Sequence, residues 1–146
     1  MVPVIVLAVA FVVFRLAGLA LPYFDDWQLS LRAALGVMFL LTASAHWGRR
    51  RADLIRMVPA FFGCAPRWVT LTGVAEIFIA AGLQIQRAAM SAALVAMVML
   101  VGIFPANAKA ARENLTIGGR PVPPLGTRLV IQLIFLGALA ASVWVR

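Results

Sequence analysis

Five long apolar runs, separated by short polar or turn-rich stretches, organise the chain. They cover Val4 to Leu21, Leu31 to Trp47, Trp68 to Leu83, Ala88 to Phe104 and Thr127 to Val145. Each is near the roughly 17–25 residues that a helix needs to cross a lipid bilayer. Polar side chains inside the runs are few, the most conspicuous being Arg15 in the first and Glu76 in the third. The pattern predicts an all-α integral membrane bundle of about five transmembrane helices, forming a single membrane domain over residues 1–146. The first run could also be read as a secretory leader cleaved near "AGLAL". It has no basic segment before it and carries Arg15 in its apolar centre, so a retained helix over 4–21 is expected.

Between the second and third runs lies "GRRRADLIRMVPAFFGCAPR". Here Leu54, Met57, Val58 and Phe61 recur at helical spacing, with Asp53 and Arg56 between them. Pro59 limits any helix to about two turns, so a short amphipathic segment lying in the membrane interface is expected. Its basic residues would favour anionic lipid headgroups. "LTIGGRPVPPLG", between the fourth and fifth runs, is rich in turn residues and predicts an irregular surface connection.

Composition sharpens the membrane reading. Hydrophobic residues make up 64% of the 146 residues and charged residues 12%, against about 45–50% and 25% in ordinary soluble domains. With a mean hydropathy of +1.00, so short a chain cannot hide its apolar surface from water. A net charge of +8 would suggest nucleic acid in a soluble protein, but no basic patch alternates with stacking aromatics. The cations instead follow the loops. Arg49, Arg50, Arg51, Arg56, Arg67, Lys109, Arg112, Arg120 and Arg128 belong to one side, and Arg32, Arg87 and Arg146 to the other. That bias predicts a multi-pass protein of the cell inner (plasma) membrane, with the N-terminus cytoplasmic and the C-terminus outside. Trp47 and Trp68 would mark the inner interface, and Tyr23, Trp27 and Trp144 the outer one.

Single copies of two residue types exclude some chemistry. Cys64 is the only cysteine, which excludes an internal disulfide, a CxxC redox pair and a cysteine-rich metal site. His46 is the only histidine, which excludes bis-histidine haem ligation within one chain. No metal site is expected, and the six methionines give no metal signal.

Glu76 is the natural starting point for function. At ~1.5 Å per residue it lies about 12 Å from Trp68, near the bilayer midplane, and Arg15 lies about 16 Å from Val4. An ionised group left alone at that depth costs at least ~2.5–3.5 kcal/mol. Either Arg15 and Glu76 pair, or Glu76 is protonated and Arg15 finds backbone carbonyls or water. A second polar group lies nearer the cytoplasm: His46, Asn107 after Pro105, and Arg128 and Gln132 one turn apart. Thr42 precedes His46 by four residues and Thr72 precedes Glu76 by four, so each shares a helix face with its partner. Projected inward, these groups are expected to line one polar pocket. Gly73 would let a neighbouring helix approach Glu76, and Ala88, Ala92 and Ala96 give the fourth helix a small-residue edge. Plainer roles stand beside these. Glu76 could only cross-link helices, His46 could be an interfacial histidine, Arg128 a snorkelling cation, and Asn107 a partner for carbonyls freed by Pro105.

Taken in order, "LRAALGVMFLLTASAHW", "DLIRMVP", "LTGVAEIFIAAGL", "FPANAKAA" and "GRPVPPLGTRLVIQ" resemble the DoxX family of small bacterial and archaeal membrane proteins. The likeness is greatest to a subgroup with an additional leading helix, and gives a core over about 31–145 preceded by the helix 4–21. His46, Asp53, Pro59, Gly73, Glu76, Pro105, Asn107, Arg128 and Gln132 fall on the recurrent polar or breaking positions of that family. Trp47 stands where phenylalanine is usual, and "GRRR" and Gly63–Cys64 are less typical. The resemblance implies a membrane component of a redox or oxidative-stress and detoxification system. The chain lacks the paired cysteines of relatives that handle thiols.

Together these readings give Glu76 and His46 as the catalytic residues, Glu76 accepting or donating a proton and His46 helping to orient the ligand. Asn107, Arg128, Gln132 and Arg15 are expected to hold a lipophilic ligand such as a quinone. No intrinsic electron carrier is visible, so an oxidoreductase role would need a partner redox subunit; the other expected partners are the lipid bilayer and a second copy of the chain. A non-enzymatic assembly factor or scaffold, and a small transporter or proton pathway using Arg15 and Glu76, are the alternatives.

Overall fold

Each apolar run folds into a helix in the computed structural model, which describes residues 2–144. The helices are α1 (Val2–Ala17), α2 (Trp27–Ser44), α3 (Arg51–Met57), α4 (Ala65–Gln84), α5 (Ala89–Gly102), α6 (Phe104–Arg112) and α7 (Leu125–Trp144). Their starts follow local chemistry. Asp26 caps α2, its carboxylate accepting from the backbone N–H groups of Gln28 and Leu29. Pro66 and Pro105 occupy the first turns of α4 and α6, where a missing N–H removes no helical bond. Pro105 also breaks the α5–α6 rod at Ile103, so the two form one kinked helix, Ala89–Arg112.

Three helices are long and apolar enough to cross a membrane: Trp27–Ser44, Ala89–Arg112 and Leu125–Trp144. The expectation of five spans is therefore met only in part. The helix α1 has 16 residues, because it stops at Ala17 while the apolar run continues to Leu21. The helix α4 has 20 residues but falls short on hydropathy, since Arg67, Glu76, Thr70 and Thr72 dilute its aliphatic content. Val145 and Arg146, assigned above to the last span and to the outer cations, lie outside the described residues.

One core joins all five long elements. Leu7 of α1, Leu35 and Phe39 of α2, Ile79 and Leu83 of α4, Ala93 and Ala96 of α5 and Phe135 and Leu139 of α7 are buried together. The helix α2 lies at the centre, packed by α1, α4 and α7. The expected small-residue edge of α5 is present and turned slightly: Ala89, Ala92, Ala93 and Ala96 are buried, and a Cβ on Gly82 of α4 would come within 2.9 Å of Ala92. The outward faces are apolar as well. Phe78 and Val98 are both 73% exposed, beside Val9, Leu71, Val101 and Leu133. A bundle apolar both inside and out is built for lipid, not water.

The arginine-rich end carries the non-spanning structure. The helix α3 has two turns, as Pro59 requires, and is followed by a 3₁₀ turn over Ala60–Phe62. The connection expected to be irregular contains a small hairpin, with β1 (Thr116–Ile117) and β2 (Arg120–Pro121) antiparallel. Its turn needs Gly118 at φ 59° and Gly119 at φ 75°, a region that glycine enters without steric cost. Asp53 ties this hairpin to α3, accepting from the Gly118 N–H at 2.8 Å and from Arg56. Lys109 of α6 donates to the Arg56 and Val58 carbonyls at the end of α3.

The Gly118 N–H, and after it Arg56, hold the Asp53 carboxyl below its ordinary value of 3.8. The stabilisation from this carboxylate is therefore present above that value and is lost as pH falls through the lower, folded-state one. Hydrogen exchange at the Gly118 amide should accelerate in that acid window, relative to neighbouring amides. Asp53→Asn should remove the pH dependence; an unchanged acid response in that variant would mean Asp53 does not hold the hairpin.

Candidate functional site

After Ser44 the chain leaves α2 in a tight turn, with the His46 N–H donating to the Ala43 carbonyl. The turn swings the imidazole back against α4. There His46 is buried, packed over Gly73: a Cβ at that glycine would be 2.7 Å from His46 Cβ and Cγ and 2.9 Å from Trp47 Cη2. Gly73 does allow a close approach, and the approaching group is the end of α2.

The ring is held at both nitrogens. Nδ1 lies 3.1 Å from the Thr42 carbonyl, which can only accept, so Nδ1 carries a proton. Nε2 lies 3.2 Å from the Thr72 hydroxyl, whose oxygen is also 2.9 Å from the Trp68 carbonyl and 3.2 Å from that of Val69. Thr72 can therefore serve either charge state of the ring. For neutral imidazole it turns its proton to Nε2; for imidazolium it gives that proton to the Trp68 carbonyl and accepts from Nε2–H.

Glu76, one turn further along α4, is 7% exposed. Its Oε2 has no hydrogen-bond partner, the one such buried side-chain atom among the described residues, and lies 3.7 Å from His46 Nδ1. The Thr42 side chain is also beside the carboxyl. A proton can reside on either member of this pair with the site's net charge staying at zero, which avoids the cost of a lone buried charge.

The other expected site residues separate from this pair. Arg15 occupies the last turn of α1 and donates to the carbonyls of Phe24 (2.9 Å) and Asp25 (2.5 Å). It does not pair with Glu76. The depth counted from the start of the run placed both near midplane, but α1 ends two residues after Arg15, at the loop opposite the arginine-rich end. Asn107 and Arg128 do meet: Arg128 Nη1 donates to Asn107 Oδ1 at 2.6 Å, and Nε to the Pro123 carbonyl at 3.3 Å. Gln132 is buried on α7, with no hydrogen bond to either among the described residues. Of the four residues expected to line one cavity, His46 clusters with Thr42, Thr72 and Glu76, Arg128 pairs with Asn107, and Gln132 bonds to neither group among the described residues. Two clefts open at the arginine-rich end, one lined by Arg51, Pro66, Arg67, Thr70 and Leu71, the other by Pro59, Phe61, Pro105, Ala108, Lys109, Arg112 and Glu113. Neither is lined by any member of the two clusters. No group of three or more candidate metal ligands occurs among the described residues.

Two arginines matter more than their loop positions suggested. Arg51 donates to the His46 carbonyl (2.7 Å), the Pro66 carbonyl (3.1 Å) and the Thr70 hydroxyl (2.9 Å), pinning the His46 turn to α4. Arg32, counted above as an outer-loop cation, is buried in α2 and donates to the Ser142 carbonyl and to Gln86. Its place inside "LSLRAALG" was the signal, since a cation within an apolar run must find partners.

These features define a helical membrane protein with a buried histidine–glutamate pair at the junction of two central helices. Residues 35–144 match the family described as a domain of unknown function, DUF8561, and the chain belongs to that family. The matched segment begins inside α2 and leaves α1 outside it. No curated protein and no solved structure gives a significant match.

Proposed function

We propose that this protein is a DoxX-like component of a redox or detoxification system in the plasma membrane, in which His46 and Glu76 deliver protons to a lipophilic ligand such as a quinone. The arginine-rich end would face the cytoplasm. The observation that carries the reading is the buried Glu76 Oε2 without a hydrogen bond, 3.7 Å from the His46 ring. A carboxyl oxygen kept dry and unpaired is costly as structure, and intramembrane acids are functional by default. Reducing a quinone to a quinol takes two electrons and two protons. A partner subunit would supply the electrons, and the pair would pass the protons. Gln132 and the Arg128–Asn107 pair would orient the ligand's polar end.

A second reading is favoured by one observation: neither cleft is lined by Glu76 or His46. Here the pair is a cross-link that locks α2 to α4 in an assembly factor or scaffold. Lipid extraction from protein purified in mild detergent separates the two. The first requires a quinone to co-purify in near-stoichiometric amount and to be lost in His46→Gln. Equal traces of quinone in the wild type and the variant would leave the scaffold reading.

A further inference from the structure

We propose that the cleft between α3 and the start of α4 binds one anionic phospholipid, its phosphate held by Arg51 and Arg67 and an acyl chain laid along the outer face of α4. The cleft has a volume of about 430 Å³ and is lined by Arg51, Pro66, Arg67, Thr70 and Leu71. Its chemistry is divided, with the basic Arg51 and Arg67 beside the apolar Pro66 and Leu71. Arg51 is held in place by its three bonds to the His46 and Pro66 carbonyls and Thr70. A guanidinium has five N–H groups, so two remain for a ligand. Arg67 is exposed and makes no side-chain hydrogen bond or ion pair among the described residues. The ion pairs among those residues are His46–Glu76 and Asp53–Arg56, so no carboxylate neutralises either arginine at the cleft.

The second observation is where the cleft leads. Arg67, Leu71, Val74 and Phe78 are spaced four, three and four residues apart, which places them on one face of α4. Leu71 is 60%, Val74 38% and Phe78 73% exposed. A free phosphate ion would use the arginines and nothing beyond them. A phospholipid would use both the arginines and the apolar stripe that continues from them into the membrane. Trp47 and Trp68 lie at the same end of the bundle and are about half exposed, and the Trp68 indole N–H donates to the Phe62 carbonyl. Tryptophans placed so mark the headgroup level, and anionic headgroups are concentrated in the cytoplasmic leaflet.

The test is native mass spectrometry of the full chain released from micelles holding equal amounts of phosphatidylglycerol and phosphatidylcholine. One phosphatidylglycerol per chain should be retained, with a preference of about thirtyfold from two cations at the surface. Arg67→Glu should abolish the preference and Arg67→Lys should keep most of it. Arg87→Glu, at the opposite end of the bundle, should leave it unchanged. Millimolar inorganic phosphate should not displace the lipid. Equal retention of the two lipids, full retention in Arg67→Glu, equal loss in Arg87→Glu, or complete displacement by inorganic phosphate would each overturn the proposal.

Discussion

Glu76→Gln is expected to fold and insert normally, yet to lose the protein's activity by about 10²–10⁴-fold, the usual contribution of a positioned proton donor or acceptor. The amide keeps the size of the side chain and an oxygen beside Thr42, but it cannot hold the transferable proton. Glu76→Leu makes the test sharper. His46 Nδ1–H already donates to the Thr42 carbonyl, and the Thr42 hydroxyl donates to the Phe39 carbonyl. Neither is stranded when the carboxyl is removed. Deleting an oxygen that has no partner should relieve about 1–3 kcal/mol, so the leucine variant should melt at the same temperature or higher while remaining inactive. Stability gained where function is lost is the mark of a residue kept for chemistry. Thermal unfolding in detergent and growth complementation under oxidative stress read the two quantities separately. A fully active Glu76→Gln, or a Glu76→Leu that unfolds readily, would show that Glu76 serves packing and would remove the proton-delivery reading.

Hydropathy made the helices legible, because an apolar run bounded by turn residues has few ways to satisfy its backbone in lipid other than a helix. It read their ends less well. A run does not say where its helix stops, and the early end of α1 at Ala17 puts Arg15 among loop carbonyls instead of beside Glu76. Glu76 stood out as a lone acid, and its need for a polar neighbour followed from depth alone. The identity of that neighbour did not follow. His46 reaches it through the turn after Ser44, a three-dimensional event thirty residues upstream of Glu76 that no helical period encodes. The same holds for Arg128. Its spacing from Gln132 suggested a shared site, but Asn107 meets it across the α6–α7 junction, because the rod breaks at Ile103 just before Pro105.

Gly73→Ala should destabilise the bundle by jamming the junction of α2 and α4. An alanine Cβ would meet His46 Cβ and Cγ at 2.7 Å and Trp47 Cη2 at 2.9 Å. The Trp47 contact is at the far end of a ring that can swing, but the His46 contact is not. Cβ is fixed by the backbone and Cγ is only one bond further, so relief requires the turn after α2 to move away from α4. That turn is also held by Arg51, which bonds the His46 carbonyl on one side and the Pro66 carbonyl and Thr70 on the other. Overpacking of this kind costs about 1–3 kcal/mol, against a gain of up to ~1 kcal/mol from replacing glycine in a helix. Gly137→Ala in α7 isolates the second quantity, since nothing lies within 4 Å of the added carbon, and it should be neutral or slightly stabilising. The two variants should therefore move the melting temperature in opposite directions. Gly73→Ala should also displace the ring from Thr72 and enlarge its 3.7 Å separation from Glu76, so activity should fall further than stability. A Gly73→Ala protein as stable and active as Gly137→Ala would show that α2 and α4 separate freely, and that the close approach at Gly73 does not hold His46 in place.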